Sequence, residues 1–104
     1  MTRRAESLSF GFDARVWEAT GKAAWSFVTL PTETAQDIRH FIGPRRGWGS
    51  IRVEVTVGNS RWKTSIFPDT KRNSCLLPLK AAVRKAEKVK TGDTIRIELQ
   101  IIEL

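Results

Sequence analysis

The segment Ile51–Val57 alternates apolar Ile51, Val53, Val55 and Val57 with polar Arg52, Glu54 and Thr56, the two-residue period of a strand with one buried face. Gly58-Asn59 then forms a turn and residues 61–67 return, so the pattern predicts a hairpin. A two-residue loop fixes its register. Val55 faces Trp62, Val53 faces Thr64 and Ile51 faces Ile66 on the inner side, while Glu54 meets Lys63 and Thr56 meets Arg61 outside, with Arg52 nearby. That outer face is net basic, and solvated cross-strand pairs, worth about 0.2–1 kcal/mol each, are its simplest account.

The same period recurs in residues 8–17, where Leu8, Phe10, Phe12, Ala14 and Val16 alternate with Ser9, Gly11, Asp13, Arg15 and Trp17, placing Trp17 on the outer parity. After a turn at residues 19–22, residues 24–30 (AWSFVTL) read as a strand returning antiparallel, with Trp25 and Phe27 on one face. Pro68-Asp69 breaks the strand before an exposed loop at residues 70–74, and residues 75–77 form a short strand. Residues 90–93 (KTGD) make a turn. Ile95, Ile97, Leu99 and Ile101 then alternate with Arg96, Glu98 and Gln100 in a closing strand, and Ile102 interrupts the alternation, where the strand ends or bulges.

Two stretches change period. After Pro31, Thr32 is placed to cap a helix whose first turn carries Glu33, and Ala35, Ile38, Phe41 and Ile42 form its buried stripe; it ends near Gly43-Pro44. Pro78 opens a second helix in which Leu79, Ala82, Val83 and Ala86 share one face and Lys80, Arg84 and Lys88 another. Both helices thus follow a strand through a Leu-Pro corner, Leu30-Pro31 and Leu77-Pro78. A proline there removes a donor and fixes φ where the chain leaves a sheet. The echo between the halves is compatible with a pseudo-twofold axis. The expected class is mainly β: about six strands and two short helices closed into a small barrel.

Composition adds bounds. A chain of 104 residues suits one domain with a single core, residues 8–104, preceded by a basic arm at residues 1–7 that carries Arg3 and Arg4. One cysteine, Cys75, excludes an internal disulfide. No apolar run approaches the ~20 residues of a membrane span, and the N-terminal residues show no uncharged hydrophobic region, so the expected location is cytoplasmic. The formal charge of +7 favours polyanions as partners, nucleic acid among them, and serves equally well for solubility.

Candidate chemistry is sparse. His40 is the only histidine, beside the apolar end of the first helix, and Cys75 lies in the apolar run CLLP. Their positions suggest structural roles, and together they are too few for a zinc site. Asp13, Asp69 and Asp93 fall in separate turns or strands with no spacing suited to acid–base work. No enzyme activity, cofactor or metal is expected. The loop at residues 43–50 (GPRRGWGS) packs three glycines, Arg45, Arg46 and Trp48 together and lacks the lysine and hydroxyl residue of a nucleotide-binding P-loop. It has two readings: an anion or partner site built from backbone N–H and guanidinium groups, or a sharp connection with Trp48 folded onto the barrel.

The stretch LLPLKAAVRKAEKVKTGDTIRIEL resembles the strand, proline, helix, turn and strand unit of AbrB/MazE-like bacterial transition regulators and antitoxins, in which two swapped hairpins make a dimeric DNA-binding barrel. A fuller resemblance covers nearly the whole chain. The blocks FDARVW, WSFVTLP, GWGSIRVEVTVG, WKTSIFPD, LLPLKAAVRKA and GDTIRIEL look like the small bacterial family known as domain of unknown function nineteen-oh-five. That resemblance implies a double-split β-barrel with two short helices, and it brings no activity, cofactor or functional residues.

Two functions from different classes remain. The first is a non-catalytic protein-binding or ligand-binding module. The second is nucleic-acid binding through a basic surface. The candidate anion or partner surface consists of Arg45, Arg46, Trp48, Arg52, Arg61, Lys63, Lys80 and Arg84, with Trp48 available to stack on a base or a partner side chain. Spacing alone leaves open whether these residues converge.

Overall fold

A computed structural model of the chain describes residues 9–19, 25–42 and 49–103. The expected arm at residues 1–7 and the loop residues Arg45, Arg46 and Trp48 lie outside them. The described residues form six strands and two helices in the order β1 (Ser9–Ala19), β2 (Trp25–Thr29), α1 (Thr32–Ile42), β3 (Ile51–Val57), β4 (Ser60–Asp69), β5 (Ser74–Leu79), α2 (Ala81–Glu87) and β6 (Thr94–Glu103). The strands close into an antiparallel barrel in the order β1-β2-β5-β4-β3-β6.

Both halves of the chain have the order strand, strand, helix, strand, and their third strands are exchanged. β3 pairs with β4 of the second half, and β6 pairs with β1 of the first. At the centre of the opposite wall β2 pairs with β5, Val28 facing Leu77. The long strands β1 and β4 split. β1 pairs with β6 from Ser9 to Arg15 and with β2 from Val16 to Ala19; β4 pairs with β3 from Ser60 to Ile66 and with β5 from Phe67 to Asp69. Two four-stranded sheets result, β1-β6-β3-β4 and β1-β2-β5-β4, sharing their outer strands. Where β1 leaves β6, the Val16 N–H donates to the Asp93 carbonyl at 2.8 Å and the Val16 carbonyl accepts from the Gly92 N–H at 2.8 Å, so the split leaves this residue's backbone paired.

The β3–β4 register is the one the alternation predicts, including Val55 with Trp62 and Glu54 with Lys63. β6 pairs Val53 with Ile101 but Arg52 with Glu103, so Ile102 is the extra residue of a bulge and faces solvent. The inward parities of all six strands, with Leu30, Ala35, Ile38 and Val83, make one core. Because β2 and β5 are antiparallel and each is followed by a helix, α1 and α2 leave from opposite ends of that pair.

The corners differ from expectation in one respect. Leu30-Pro31 leads directly into α1: the Leu30 N–H donates to the Cys75 carbonyl at 3.0 Å, the buried Ser74 hydroxyl donates to the Leu30 carbonyl at 2.6 Å, and the Ala35 N–H bonds to the Pro31 carbonyl at 3.0 Å. Pro78 does not open α2. It lies within β5 opposite Phe27, Leu79 pairs with Ser26, and Lys80 is the N-cap. Pro68 likewise continues β4, opposite Cys75, instead of breaking it. A proline is tolerated in a ladder where its missing donor is not required.

The expected helix stripes are shorter too. Ala82 and Ala86 of α2 are exposed, Val83 alone of that helix is buried, and Phe41 of α1 is exposed. Among the described side chains α1 contributes Ala35 and Ile38 to the core and α2 contributes Val83, and alanine supplies too little apolar area to compel burial.

Candidate functional site

The two sheets have the same inward chemistry and opposite outward chemistry. Outside the β1-β6-β3-β4 sheet stand Asp13, Arg15, Arg52, Glu54, Arg61, Lys63, Arg96 and Glu98, interspersed with Ser9, Thr56, Ser65 and Gln100. Outside the β1-β2-β5-β4 sheet stand Trp17, Trp25, Phe27, Leu76, Pro78 and Phe67, with Thr29 and Asp69. The change falls where the long strands split. On β1 the outward series runs Ser9, Gly11, Asp13, Arg15 and then Trp17; on β4 it runs Arg61, Lys63, Ser65 and then Phe67.

The apolar wall is partly ordered by its own contacts. Trp17 and Phe27 face each other across the β1–β2 ladder with ring centroids 5.2 Å apart and planes tilted by 33°. The Trp17 indole N–H donates to the Thr29 hydroxyl at 2.9 Å. Arg72, in the turn between β4 and β5, lies with its guanidinium carbon 4.5 Å from the centroid of Trp17 and donates to Asp69 at 2.7 Å. That hydrogen bond holds the Asp69 carboxyl below its ordinary range, with the charge of Arg72 adding to the effect and desolvation opposing it. Beyond this cluster Trp25 is 58% exposed and Phe67 43% exposed. Phe41 on α1 and Ile102 on the polar sheet are exposed as well, so what sets this face apart is that its apolar side chains adjoin one another across the strands.

On the polar wall, Ser9, Glu54, Thr56, Arg61, Glu98, Leu99 and Gln100 line an open depression. Beside it Gly11 leaves room for the Arg96 and Glu98 side chains, since a Cβ there would come within 2.7 Å of both. Arg96 bonds to Glu98 at 3.1 Å and lies 3.6 Å from Asp13, so the neighbouring charges are largely spent on one another.

The residues of the sequence-derived surface are distributed. Arg52, Arg61 and Lys63 are exposed together on the polar wall, Lys63 opposite Glu54. Lys80 is exposed beyond the end of β5, next to the apolar wall. Arg84 is half-buried on α2, its Nε buried without a hydrogen-bond partner.

Cys75 is buried, and burial pushes its thiol up to about 11, away from nucleophilic use. Asp93 accepts a hydrogen bond from the Lys90 N–H at 2.8 Å, a turn-forming role. His40 is exposed in the last turn of α1. Among the described residues no three His, Cys, Asp or Glu side chains are grouped to hold a metal, and no helix is long and apolar enough to cross a membrane.

The residues that sequence reasoning missed are those of the apolar wall. Their signal was present in WSFVTL and CLLPL, which are apolar on both parities where a one-sided strand would alternate. A family model described as "Domain of unknown function (DUF1905)" matches residues 12–99. No curated protein matches the chain.

Proposed function

The chain belongs to the DUF1905 family, whose description assigns no function, and from that premise we propose that it is a non-catalytic binding domain that engages a protein partner through the outer face of the β1-β2-β5-β4 sheet. One observation carries this reading: the two sheets share their outer strands and enclose one core, yet only this one turns Trp25, Phe27, Phe67, Leu76 and Pro78 outward. Aromatic and aliphatic side chains on a rigid sheet are the composition of an interface hot spot. The basic residues of the other wall alternate with Glu54, Glu98 and Asp13, an arrangement suited to solvation.

The test is photo-crosslinking in the cells that express the protein. Benzoylphenylalanine at position 25 should yield a discrete protein adduct, and the same probe at position 56 on the polar wall should not. Equal yields at the two positions, or none, defeat the reading. A titration with mixed DNA and RNA at two salt concentrations addresses the other class. Affinity falling with a slope of about −0.9 per phosphate neutralised on duplex DNA would replace protein binding by nucleic-acid binding.

A further inference from the structure

Resting on that reading, we infer that the partner segment is short, extended and acidic, with an apolar side chain over Phe27 and Pro78 and carboxylates on Arg15 and Lys80. The apolar wall has basic corners. Arg15 is exposed on β1, two residues before Trp17 on the same face, and Lys80 is exposed just past the Ser26–Leu79 pair that ends β5. Lys71 is exposed in the turn at the β4–β5 side. Among the described residues the one acidic side chain on the wall, Asp69, is already bonded to Arg72 at 2.7 Å. Whatever covers the aromatics therefore meets uncompensated positive charge at its edges.

Geometry narrows the occupant. Arg15 and Lys80 stand at diagonal corners, two strands apart and four residues apart along the strands, with Phe27 and Pro78 between them. At about 4.8 Å per strand and 3.3 Å per residue the diagonal is roughly 16 Å. An extended peptide places residues i, i+2 and i+4 on one side over about 13 Å, and the reach of arginine and lysine side chains covers the difference. The spacing suits two carboxylates four residues apart with an apolar residue midway.

Two other occupants fit less well. A second copy of this chain would set the same cations against themselves across a twofold axis. A nucleic-acid strand needs cations along its backbone and open ring faces. Here Pro78 and Leu76 occupy the centre, and one face of Trp17 is taken by Arg72.

The experiment is an amide chemical-shift titration of the full chain with a blocked peptide containing Glu-Ser-Phe-Ser-Glu. The same peptide with Gln for Glu, the same with Lys for Glu, and a twelve-nucleotide oligothymidylate serve as comparisons. The acidic peptide should move Trp25, Phe27 and Leu76 resonances, the Gln peptide should bind at least about fivefold more weakly, and the Lys peptide should not bind. Arg15→Glu with Lys80→Glu should weaken the acidic peptide about tenfold or more, whereas Lys85→Glu on α2 should not. Equal binding of all three peptides at the wall overturns the acidic assignment and leaves protein docking standing. Wall shifts with the oligonucleotide alone overturn both. Absence of wall shifts with every probe overturns the acidic segment, and docking is then judged by the crosslinking result alone.

Discussion

The guanidinium carbon of Arg72 lies 4.5 Å from the centre of the Trp17 ring, joining a turn after β4 to the outer face of β1. The same guanidinium holds the Asp69 carboxylate at 2.7 Å. One side chain thus fastens the border of the apolar wall.

Arg72→Ala should cost about 0.5–1.5 kcal/mol, the sum of a partly exposed cation–π contact and an ion pair. It should also return the Asp69 pKa toward its ordinary value of 3.8. The sign follows from the shift. A depressed folded pKa adds stability that is complete above the unfolded value and is lost as pH falls through the folded one. Denaturant unfolding at pH 7 and pH 3 should therefore show the parent losing more stability on acidification than Arg72→Ala does. Equal losses would mean that Arg72 does not govern Asp69.

Val83 is the one α2 residue in the core, whereas its neighbour Arg84 is half-buried with an unpartnered Nε. Val83→Asp should destabilise by more than about 3 kcal/mol, since it buries a charge with no counter-ion. Arg84→Ala should leave a folded domain with a stability change within about 1 kcal/mol, because the arginine gives up desolvation without a compensating bond at Nε. Thermal melts of both variants check the contrast, and a cooperative parental melt for Val83→Asp would remove α2 from the core.

These two regions show what the sequence discloses and what it hides. The β3–β4 register follows from strict alternation meeting a two-residue turn, because a slip of one residue would turn Val53 and Val55 to water. At Ile102 the broken alternation left an end or a bulge open, and the pairing of Arg52 with Glu103 shows the bulge. Periodicity failed where residues suit either environment: Ala82 and Ala86 fit a helical stripe yet stay exposed, and Pro78 reads as a helix opener yet completes β5. Trp17 was legible on the outer parity of β1, whereas the centre of the apolar wall was hidden because β2 and β5 are apolar on both parities, and only closure of the barrel decides which parity is inside.

The β3–β4 turn is tied to α2. Gly58 has φ of +58°, a Cβ there would strike the Glu87 carboxylate, and Ser60 donates its hydroxyl to Glu87 at 2.6 Å. Gly58→Ala should cost about 1–2 kcal/mol from the left-handed backbone alone, plus whatever is lost as Glu87 moves off Ser60. Adding Glu87→Ala removes the collision and retains the backbone strain. The double variant should therefore be more stable than the sum of the single changes allows, a non-additivity measurable in a denaturant cycle. Strict additivity would show that turn and helix are uncoupled.

Cys75 pairs with Pro68 at the β4–β5 seam and is fully buried. Burial raises its pKa from 9.0 to about 11, since the thiolate would sit in the apolar core. The linked effect on folding has a defined sign. Below pH 9 both states keep the proton; between about 9 and 11 the unfolded chain releases it and the folded chain does not, so stability falls as pH rises through that window. Cys75→Ala should flatten this alkaline decline while costing stability at pH 7 through the small cavity it leaves. In the parent, a disulfide reagent at pH 8 should modify Cys75 only as fast as the domain opens, and rates should track unfolding across a denaturant series. Rapid labelling of the native protein would place the thiol outside the core and reopen a chemical role for it.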